Sequence, residues 1–330
     1  MRSVLVARLD NDGDVLLAGP AVRAIAARDR VTLLVAPSGE QAARMLPGVR
    51  DVLTWPCPWT GFSPPAVDRR SVDTLIDALG LEHFGAGFVL TSYHQSPLPL
   101  ALLLRLAGLK YLAASCEDYP GALLDLRHRP RPGHEVERNL DLVRAAGYEL
   151  PAGDDGALRV RSVLPPPPRG YVVVHPGASV PARTASPGWF RALVTALART
   201  GHRVLVTGSP AERELTSFVA GSNGIDHGGT TGYAELGALL DGADCVVVGN
   251  TGPAHLAAAV GTPVVSLFAP VVPADRWAPW RVPSILLGDQ QAPCRDTRAR
   301  ECPIPGHPCL NSVAIEEAVI AVRKLLEEVT

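Results

Sequence analysis

Strand-like runs alternate with helix-like segments along the whole chain, and this alternation constrains the fold more than any other feature. Residues 246–248 are three consecutive valines, which predict a buried strand of a parallel sheet. A Gly-Asn-Thr-Gly-Pro turn at 249–253 ends that strand, and an alanine-rich helix pattern starts at once and stops at Gly261. The next strand pattern covers residues 263–268. Units of this kind build parallel sheets that helices cover on both faces.

The turn at 249–253 has a second property, because it leads directly into a helix. The first N–H groups of a helix have no partner inside it, and the helix dipole favours negative charge at that end. A diphosphate would fit such a turn. The alternative is an ordinary connection between a strand and a helix, without a ligand.

The alternation occurs in two blocks, and four consecutive prolines at 165–168 separate them. A proline run favours an extended segment, so we predict an N-terminal domain over residues 1–164 and a C-terminal domain over residues 165–330. Both are expected to be α/β domains with doubly wound, Rossmann-like sheets that face a cleft. Ligands usually bind at the carboxyl ends of the strands in such sheets.

The composition is that of an ordinary globular protein of 330 residues, with 47% hydrophobic and 19% charged residues. The formal net charge is −2 and no block of Lys and Arg occurs, so nucleic acid is not an expected partner. The N-terminus lacks the apolar core of a signal peptide, and the longest apolar helix pattern, 97–109, is too short to span a bilayer. These features predict a cytoplasmic protein whose six cysteines are reduced.

Three carboxylates, those of Asp10, Asp12 and Asp14, follow the first predicted strand. Their spacing is similar to the start of a calcium-binding loop. An EF-hand loop would need Gly at its sixth position and Glu at its twelfth, where this sequence has Val15 and Ala21. The spacing therefore does not predict a calcium site.

Two interpretations of these carboxylates remain. Asp12 or Asp14 could cap a helix that the apolar pattern predicts over residues 16–27. Alternatively, one of the carboxylates stands at the mouth of the cleft and takes a proton from an acceptor hydroxyl as a general base.

The predicted C-terminal domain carries two further groups of polar residues after strands. Gly177 and Ser179 follow a strand at 171–175 and offer backbone N–H groups and a hydroxyl, and Arg183 could clamp a phosphate. Glu212 follows the next strand, where it could either favour a helix dipole or accept hydrogen bonds from a ribose diol. The alternative for the first group is a solvated loop with a surface arginine.

Taken together and in order, these segments make the chain resemble glycosyltransferase family 9, the heptosyltransferases. The resemblance covers nearly the whole chain. The matching segments are Asn-Asp-Gly-Asp at 11–14, Pro-Ala-Val-Arg at 20–23, His-Pro-Gly-Ala-Ser at 175–179, Thr-Gly-Ser-Pro-Ala-Glu at 207–212, the run 250–263 and the cysteine tail 294–309.

The resemblance implies a GT-B fold and an inverting glycosyltransferase that needs no metal or other cofactor. It implies Asp14 as the general base, an acceptor side in the N-terminal domain and a nucleotide-sugar side in the C-terminal one. The implied donor is ADP-heptose, and the acceptor could be a glycan, a lipid-linked compound or a small molecule, with peripheral membrane contact in the lipid-linked case. The donor-binding residues that it implies are Gly177, Ser179, Arg183, Glu212, Thr251, Gly252 and His255.

Two positions depart from the family pattern. Asn250 stands where the family usually has Asp, and Arg183 stands where Lys is usual. Two alternatives are a sugar-nucleotide 2-epimerase of similar architecture and a non-catalytic nucleotide-sugar-binding protein. A dinucleotide-dependent dehydrogenase is disfavoured because no Gly-x-Gly-x-x-Gly segment follows a strand.

The tail contains four residues that could ligate zinc, namely Cys294, Cys302, His307 and Cys309. Their spacing lacks the close Cys-x-x-Cys pair of most structural zinc sites. The sequence therefore favours a packed loop with reduced thiols over a metal site.

Overall fold

The computed structural model describes residues 1–61, 63–92, 95–162 and 164–329, and the chain divides into two compact units, Met1–Arg161 and Ser162–Thr330. We call them the first and the second unit. Within the described residues, no helix is both long and apolar enough to cross a membrane.

The first unit contains a six-stranded parallel sheet with helices between the strands. Its strands are β1 (Ser3–Arg8), β2 (Arg30–Val35), β3 (Val49–Thr54), β4 (Ala86–Val89), β5 (Leu112–Ser115) and β6 (Leu126–His128). Its helices are α1 (Asp12–Leu17), α2 (Gly19–Ala26), α3 (Glu40–Met45), α4 (Arg69–Leu81), α5 (Leu98–Leu106) and α6 (Glu135–Ala145). The strand order is β3-β2-β1-β4-β5-β6.

The second unit repeats this architecture with a second six-stranded parallel sheet. Its strands are β7 (Val172–His175), β8 (Val204–Val206), β9 (Ile225–Asp226), β10 (Cys245–Gly249), β11 (Val264–Leu267) and β12 (Ser284–Leu287). Its helices are α7 (Pro187–Arg199), α8 (Arg213–Ala220), α9 (Tyr233–Asp241), α10 (Gly252–Ala259), α11 (Ala274–Trp277), α12 (Pro308–Asn311) and α13 (Ile315–Val329). The strand order is β12-β11-β10-β7-β8-β9.

Both sheets change winding direction at one place, which determines where a ligand can bind. In the first unit the change lies between the neighbouring strands β1 and β4, and in the second between β7 and β10. Connections leave in opposite directions there, so a crevice opens outside the carboxyl ends of the two strands. The predicted doubly wound α/β fold is confirmed for each unit.

The strands at these positions are buried on both faces, as their sequences predict. All five residues of β10 and all four of β7 are buried. A parallel strand covered by helices on both sides needs apolar residues at every position rather than at alternate ones. The strands thus form the floor of each crevice, and the polar groups stand at the strand ends and in the connections that follow.

The first helix differs from its prediction over residues 16–27. The chain forms two short helices instead, α1 from Asp12 and α2 from Gly19, with Pro20 in the first turn of α2. Proline cannot donate a backbone hydrogen bond and fits at a helix start, so it marks a new helix rather than continuing the previous one. The capping interpretation is wrong, because Asn11 is the N-cap residue of α1 and makes no side-chain capping bond, while Asp12 and Asp14 lie inside its first turn.

Candidate active site

The carboxyl end of β1 carries a fully buried arginine, Arg8, surrounded by acidic side chains. Its Nε lies 2.8 Å from Asp10 Oδ2, its Nη2 lies 2.8 Å from Asp14 Oδ1, and its Nη1 lies 3.0 Å from Glu135 Oε1. Its Nη2 also donates to Ser92 Oγ at 3.0 Å. We call Arg8, Asp10, Asp14 and Glu135 the Arg8 cluster.

The Arg8 cluster joins connections that are far apart in sequence. Ser92 follows β4, the neighbour of β1 at the winding change, and Glu135 begins α6. Gln95, also after β4, donates from Nε2 to Asp10 Oδ1 at 2.7 Å. The cluster therefore lies at the crevice of the first sheet.

Acidic groups outnumber basic groups in the cluster, because three carboxylates share one guanidinium. Burial raises the pKa of Asp10 to about 6; Arg8 opposes this shift, while the charges of Asp14 and Glu135 add to it. Burial alone would lower the pKa of Arg8, but the three carboxylates raise it overall, so this side chain stays charged. Arg138 approaches Glu135 Oε2 at 3.8 Å and supplies a second positive charge.

Asp14, the predicted general base, is the cluster carboxylate with the greatest access to solvent. Its side chain is 22% exposed, compared with 8% for Asp10 and 1% for Glu135. The ion pair with Arg8 fixes one of its oxygens, and the partial exposure leaves room for a solute to reach the carboxyl group. This arrangement can accept a proton from a bound hydroxyl.

Asp12 has a different position, although it is only two residues away. Its Oδ1 accepts the backbone N–H of Ala42 at 3.2 Å, which connects α1 to α3. Burial raises the pKa of Asp12 to about 6, and the hydrogen bond from Ala42 only partly opposes that shift. Asp12 is therefore a structural carboxylate.

Replacing Asp12 with asparagine should increase stability at neutral pH. A carboxyl group with a raised native pKa binds more protons in the folded state, so its contribution to stability is lost as pH rises from about 4 to 6. Asn keeps the oxygen that Ala42 binds and carries no charge, so Asp12→Asn should gain about 1–3 kcal/mol at pH 7. Urea unfolding at pH 4.5 and pH 7 measures this. A variant less stable than the parent at pH 7 would contradict the assignment.

In the second unit, the connection after β7 contains Gly177 and Ser179, and it packs against the connection after β8. A Cβ atom on Gly177 would lie 2.0 Å from Glu212 Oε1, so only glycine leaves room for that carboxylate. Glu212 Oε2 also accepts the backbone N–H of Ser209 at 2.7 Å and closes a capping box. Both interpretations of Glu212 thus remain, because it caps a helical turn and also lies beside the predicted phosphate loop.

The loop with Arg183 contacts the end of β10. A Cβ atom on Gly249 would lie 2.4 Å from the carbonyl oxygen of Arg183, so the two backbones approach closely. Thr251, the N-cap residue of α10, makes no side-chain capping bond, and Gly252 begins the helix. The structure therefore brings the backbone of Arg183 to the end of β10, and Gly177 and the start of α10 follow the neighbouring strands β7 and β10.

The two histidines of these segments are buried. His175 Nδ1 lies 2.9 Å from Thr207 Oγ1, and burial lowers the pKa of His175 although Glu212 opposes the shift. His255 lies on α10 and is 7% exposed. Ser179 is exposed. All the predicted donor-binding roles stay predictions, namely those of Gly177, Ser179, Arg183, Glu212, Thr251, Gly252 and His255.

Asn250, which departs from the family pattern, has a structural explanation. Its Oδ1 accepts the backbone N–H of Ala269 and its Nδ2 donates to the carbonyl of Ala269, both at 3.3 Å. An ionised aspartate could accept the first bond but could not donate the second. Asn250 thereby connects the turn after β10 to the segment after β11.

The cysteine tail contributes to the core of the second unit. Cys294 and Cys309 are buried there, and burial raises the pKa of Cys309 to about 12, with further contributions from Cys294 and Cys302. Throughout the part of the chain that the structure describes, no three or more His, Cys, Asp or Glu side chains are grouped to hold a metal ion. Cys294 precedes α12 in the chain and Cys309 lies within that helix.

Sequence reasoning missed Arg8, Ser92, Gln95 and Glu135. One signal was available for Arg8, since a charged residue ends a strand that is otherwise apolar. A charge on a fully buried strand needs partners, and acidic residues follow within a few positions. No local pattern pointed to the other three residues.

Comparisons with known proteins agree with this architecture. The description "Glycosyltransferase family 9 (heptosyltransferase)" matches residues 101–307, more than half of the chain. Among solved structures, the glycosyl transferase family 9 protein from Veillonella parvula has a TM-score of 0.79 at 14% identity and covers 99% of this chain and 97% of its own. The E. coli ADP-heptose lps heptosyltransferase II has a TM-score of 0.74 at 17% identity, with 99% of each chain covered. At these identities the likeness shows a shared fold, which is the GT-B fold.

Curated relatives are similar over part of their length. Lipopolysaccharide heptosyltransferase 3 of Escherichia coli is 29% identical over 60% of this chain and 62% of its own. Lipopolysaccharide heptosyltransferase 1 of Pseudomonas aeruginosa is 33% identical over 42% of this chain and 41% of its own. The chain thus spans less than two thirds of the length of these relatives. With the family match, the order of motifs and the two doubly wound units, the chain belongs to glycosyltransferase family 9.

Proposed function

We propose that this protein is an inverting, metal-independent glycosyltransferase that moves a heptose from ADP-heptose to an acceptor hydroxyl. The observation that carries the proposal is the pair of crevices: one holds a partly exposed carboxylate, and the other holds a glycine-rich loop, an arginine and a helix start. The family supports glycosyl transfer. A solved structure of E. coli heptosyltransferase WaaC contains ADP, and it has a TM-score of 0.71 and 20% identity to this chain. This relative supports ADP as the nucleotide of the donor.

The proposed chemistry needs both groups. Asp14 accepts the proton of the acceptor hydroxyl, whose oxygen attacks the anomeric carbon. The bond from that carbon to the diphosphate oxygen breaks, and the nucleoside diphosphate leaves with the electron pair. Attack from the face opposite the leaving group inverts the anomeric configuration. Arg183 and the N-terminus of α10 stabilise the negative charge that develops on the diphosphate.

The curated relatives named above are lipopolysaccharide heptosyltransferases, so the acceptor is proposed to be a glycan, a lipid-linked sugar or a small hydroxylated compound. A soluble nucleotide-sugar donor fits a cytoplasmic location, with peripheral membrane contact if the acceptor is lipid-linked. Nucleic acid is not proposed as a partner.

A nucleotide screen tests the proposal first. Because a ligand that binds only the native state stabilises it, ADP at 100 times its Kd should add about 2.7 kcal/mol of stability. Thermal shifts with ADP, UDP, GDP and dTDP compare the bases, and NMR of the product of ADP-heptose turnover gives the anomeric configuration. Stabilisation by another nucleotide alone would contradict the donor, and a retained configuration would contradict the mechanism.

Arg183→Ala should weaken ADP binding, because a charge-assisted contact to the diphosphate is lost. The expected loss is about 1.5–3 kcal/mol by calorimetry. Arg199→Ala, at an exposed arginine in the last turn of α7, is the matched control and should leave the affinity unchanged. Equal affinities of the Arg183 variant and the parent protein would exclude Arg183 as a clamp.

Turnover should persist in excess EDTA. In the proposed mechanism the helix N-terminus and Arg183 provide the positive charge that a divalent cation supplies in other transferases. The measurement is ADP release from ADP-heptose with and without the chelator. Loss of activity that Mg²⁺ or Mn²⁺ restores would contradict the proposal and would implicate Asp10 and Asp12 as metal ligands.

A further inference from the structure

The segment between β7 and α7 carries Arg183, and it is tied to the C-terminal part of the chain. We call residues 180–186 the Arg183 loop. On one side of Arg183, the backbone N–H of Ala182 donates to the carbonyl oxygen of Arg300 at 2.9 Å. Ala182 is also buried in the core of the second unit. The loop is therefore anchored immediately before Arg183 by a residue that follows β12.

A second anchor lies on the other side of Arg183 and is made by Asn311, the last residue of α12. Its Oδ1 accepts the backbone N–H of Ser186 at 2.8 Å, and its Nδ2 donates to the carbonyl oxygen of Gly306 at 2.7 Å. Ser186 is the N-cap residue of α7. Both ends of the Asn311 amide thus join the Arg183 loop and the start of α7 to one turn, residues 306–311, which we call the tail turn.

The tail turn is itself held in one conformation. Gly306 and His307 have φ angles of +80° and +50°, in the left-handed region that few residues other than glycine adopt. Cys309 and Leu310 are buried in the core of the second unit. Burial lowers the pKa of His307, and a hydrogen bond with the backbone of Ala182 opposes this shift, so the ring also contacts the Arg183 loop. The tail turn is therefore a fixed support for that loop.

Other residues of the Arg183 loop contact the strand ends at the crevice of the second sheet. Thr184 Oγ1 donates to the carbonyl oxygen of Pro176 at 2.7 Å, in the connection after β7. The carbonyl oxygen of Arg183 lies so close to Gly249, at the end of β10, that a Cβ atom on that glycine would be 2.4 Å from it. The tail turn and the strand ends together fix the backbone that carries the Arg183 side chain.

A fixed backbone favours anion binding by an arginine. Ordering a loop at the moment of binding costs free energy, and a loop that is already ordered avoids that cost. The planar guanidinium group must also be oriented correctly to contact a diphosphate with two N–H groups at once. A residue that holds the loop can therefore change the affinity for a diphosphate without touching it.

We propose that Asn311 is a positioning residue for the donor, because its hydrogen bond to Ser186 holds the Arg183 loop in the conformation in which Arg183 binds the diphosphate. The tail turn then serves donor binding in addition to packing in the core. This assignment rests on the proposed function, in which Arg183 stabilises the diphosphate of the donor.

A double-mutant cycle with ADP and the full-length protein tests the assignment, and calorimetry gives the Kd values. Asn311→Ala should weaken ADP binding by about three- to tenfold, the effect of losing one hydrogen bond that orders the loop. In the Arg183→Ala background the same substitution should have no further effect, because Asn311 acts only through Arg183. A residue with a purely structural role would change the affinity by the same factor in both backgrounds.

Two further measurements separate positioning from stability. Trp189→Phe is the matched control, since it removes another hydrogen bond to this part of the chain, from Trp189 Nε1 to the carbonyl oxygen of Val313 at 2.7 Å. It should lower stability and leave ADP affinity unchanged. Amide hydrogen exchange, followed by mass spectrometry, should become faster in residues 180–186 of Asn311→Ala and stay unchanged in the strands of the second unit.

Three results would overturn the assignment. They are equal ADP affinity of the parent protein and Asn311→Ala, the same fold loss in both backgrounds, and faster exchange throughout the strands of the second unit. ADP binding that depends on Arg183 but not on Asn311 would overturn the positioning role alone. Failure of the parent protein to bind ADP would overturn the proposed donor, and with it the role assigned to Asn311.

Discussion

Asp14→Asn should lower turnover by roughly 10²–10⁴-fold and leave ADP affinity nearly unchanged. The substitution keeps the shape of the side chain and an oxygen that Arg8 can contact, and it removes the negative charge that takes the proton and pairs with Arg8. The structure sharpens this expectation, because the residue that precedes α1 at its N-cap is Asn11. A loss of activity in this variant therefore does not report the loss of a helix cap. Steady-state ADP release and calorimetry with ADP provide the two measurements.

Asp12→Asn is the matched control for this experiment, since it lies in the same helical turn and binds the backbone of Ala42. It should retain activity and gain stability at neutral pH. If Asp12→Asn were inactive and Asp14→Asn active, the general base would be Asp12 and not Asp14. If both remained active, the base would lie elsewhere, with His255 and His175 as the next candidates.

Arg8→Met should destabilise the first unit by about 3–5 kcal/mol at pH 7, because it leaves buried carboxylates without their counter-charge. The remaining carboxyl groups would then bind protons more readily in the folded state than in the unfolded one. Stability of the variant should therefore recover as the pH falls from 8 to 5, which is the direction expected for raised native pKa values. Urea unfolding at both pH values, followed by circular dichroism, measures the loss.

Arg8→Lys gives a second, milder test of the same cluster. One ammonium group cannot contact three carboxylates in the way that a guanidinium does. We therefore expect a loss of stability smaller than that of Arg8→Met. In this variant kcat should fall more than KM changes, because Asp14 loses its fixed orientation while the donor loops are untouched. Arg30→Met, at an exposed arginine that begins the neighbouring strand β2, is the control and should change stability little. Equal stability of Arg8→Met and Arg30→Met would contradict the role of the cluster.

The Arg8 cluster also accounts for the presence of a buried charge at a strand end. Buried ion pairs often stabilise a protein no more than well-packed apolar side chains of similar size would. Here the guanidinium orients a partly exposed carboxylate at the crevice, which an apolar side chain could not do. In the proposed mechanism, the orientation of Asp14 is the physical reason for this costly arrangement.

The sequence by itself determined the doubly wound architecture and the order of the candidate loops. Consecutive valines, glycine-rich turns and helix starts are local patterns, and each depends on residues within a few positions of one another. For this reason the strand at Val246 and the turn at Thr251 were predicted where the structure has them. Helix α1 begins four residues before the predicted start at residue 16, because an aspartate in the first turn of a helix and an aspartate at its cap give the same local sequence pattern.

Only the tertiary structure decided which groups meet. Arg8 reaches Ser92 across 84 positions and Glu135 across 127, and Asn250 reaches Ala269 across 19. Such contacts depend on which strands are neighbours, and the order of strands follows the packing of the whole sheet rather than any local pattern. The winding change between β1 and β4 brings Gln95 beside Asp10, and this long-range arrangement places at the crevice the cluster that orients Asp14.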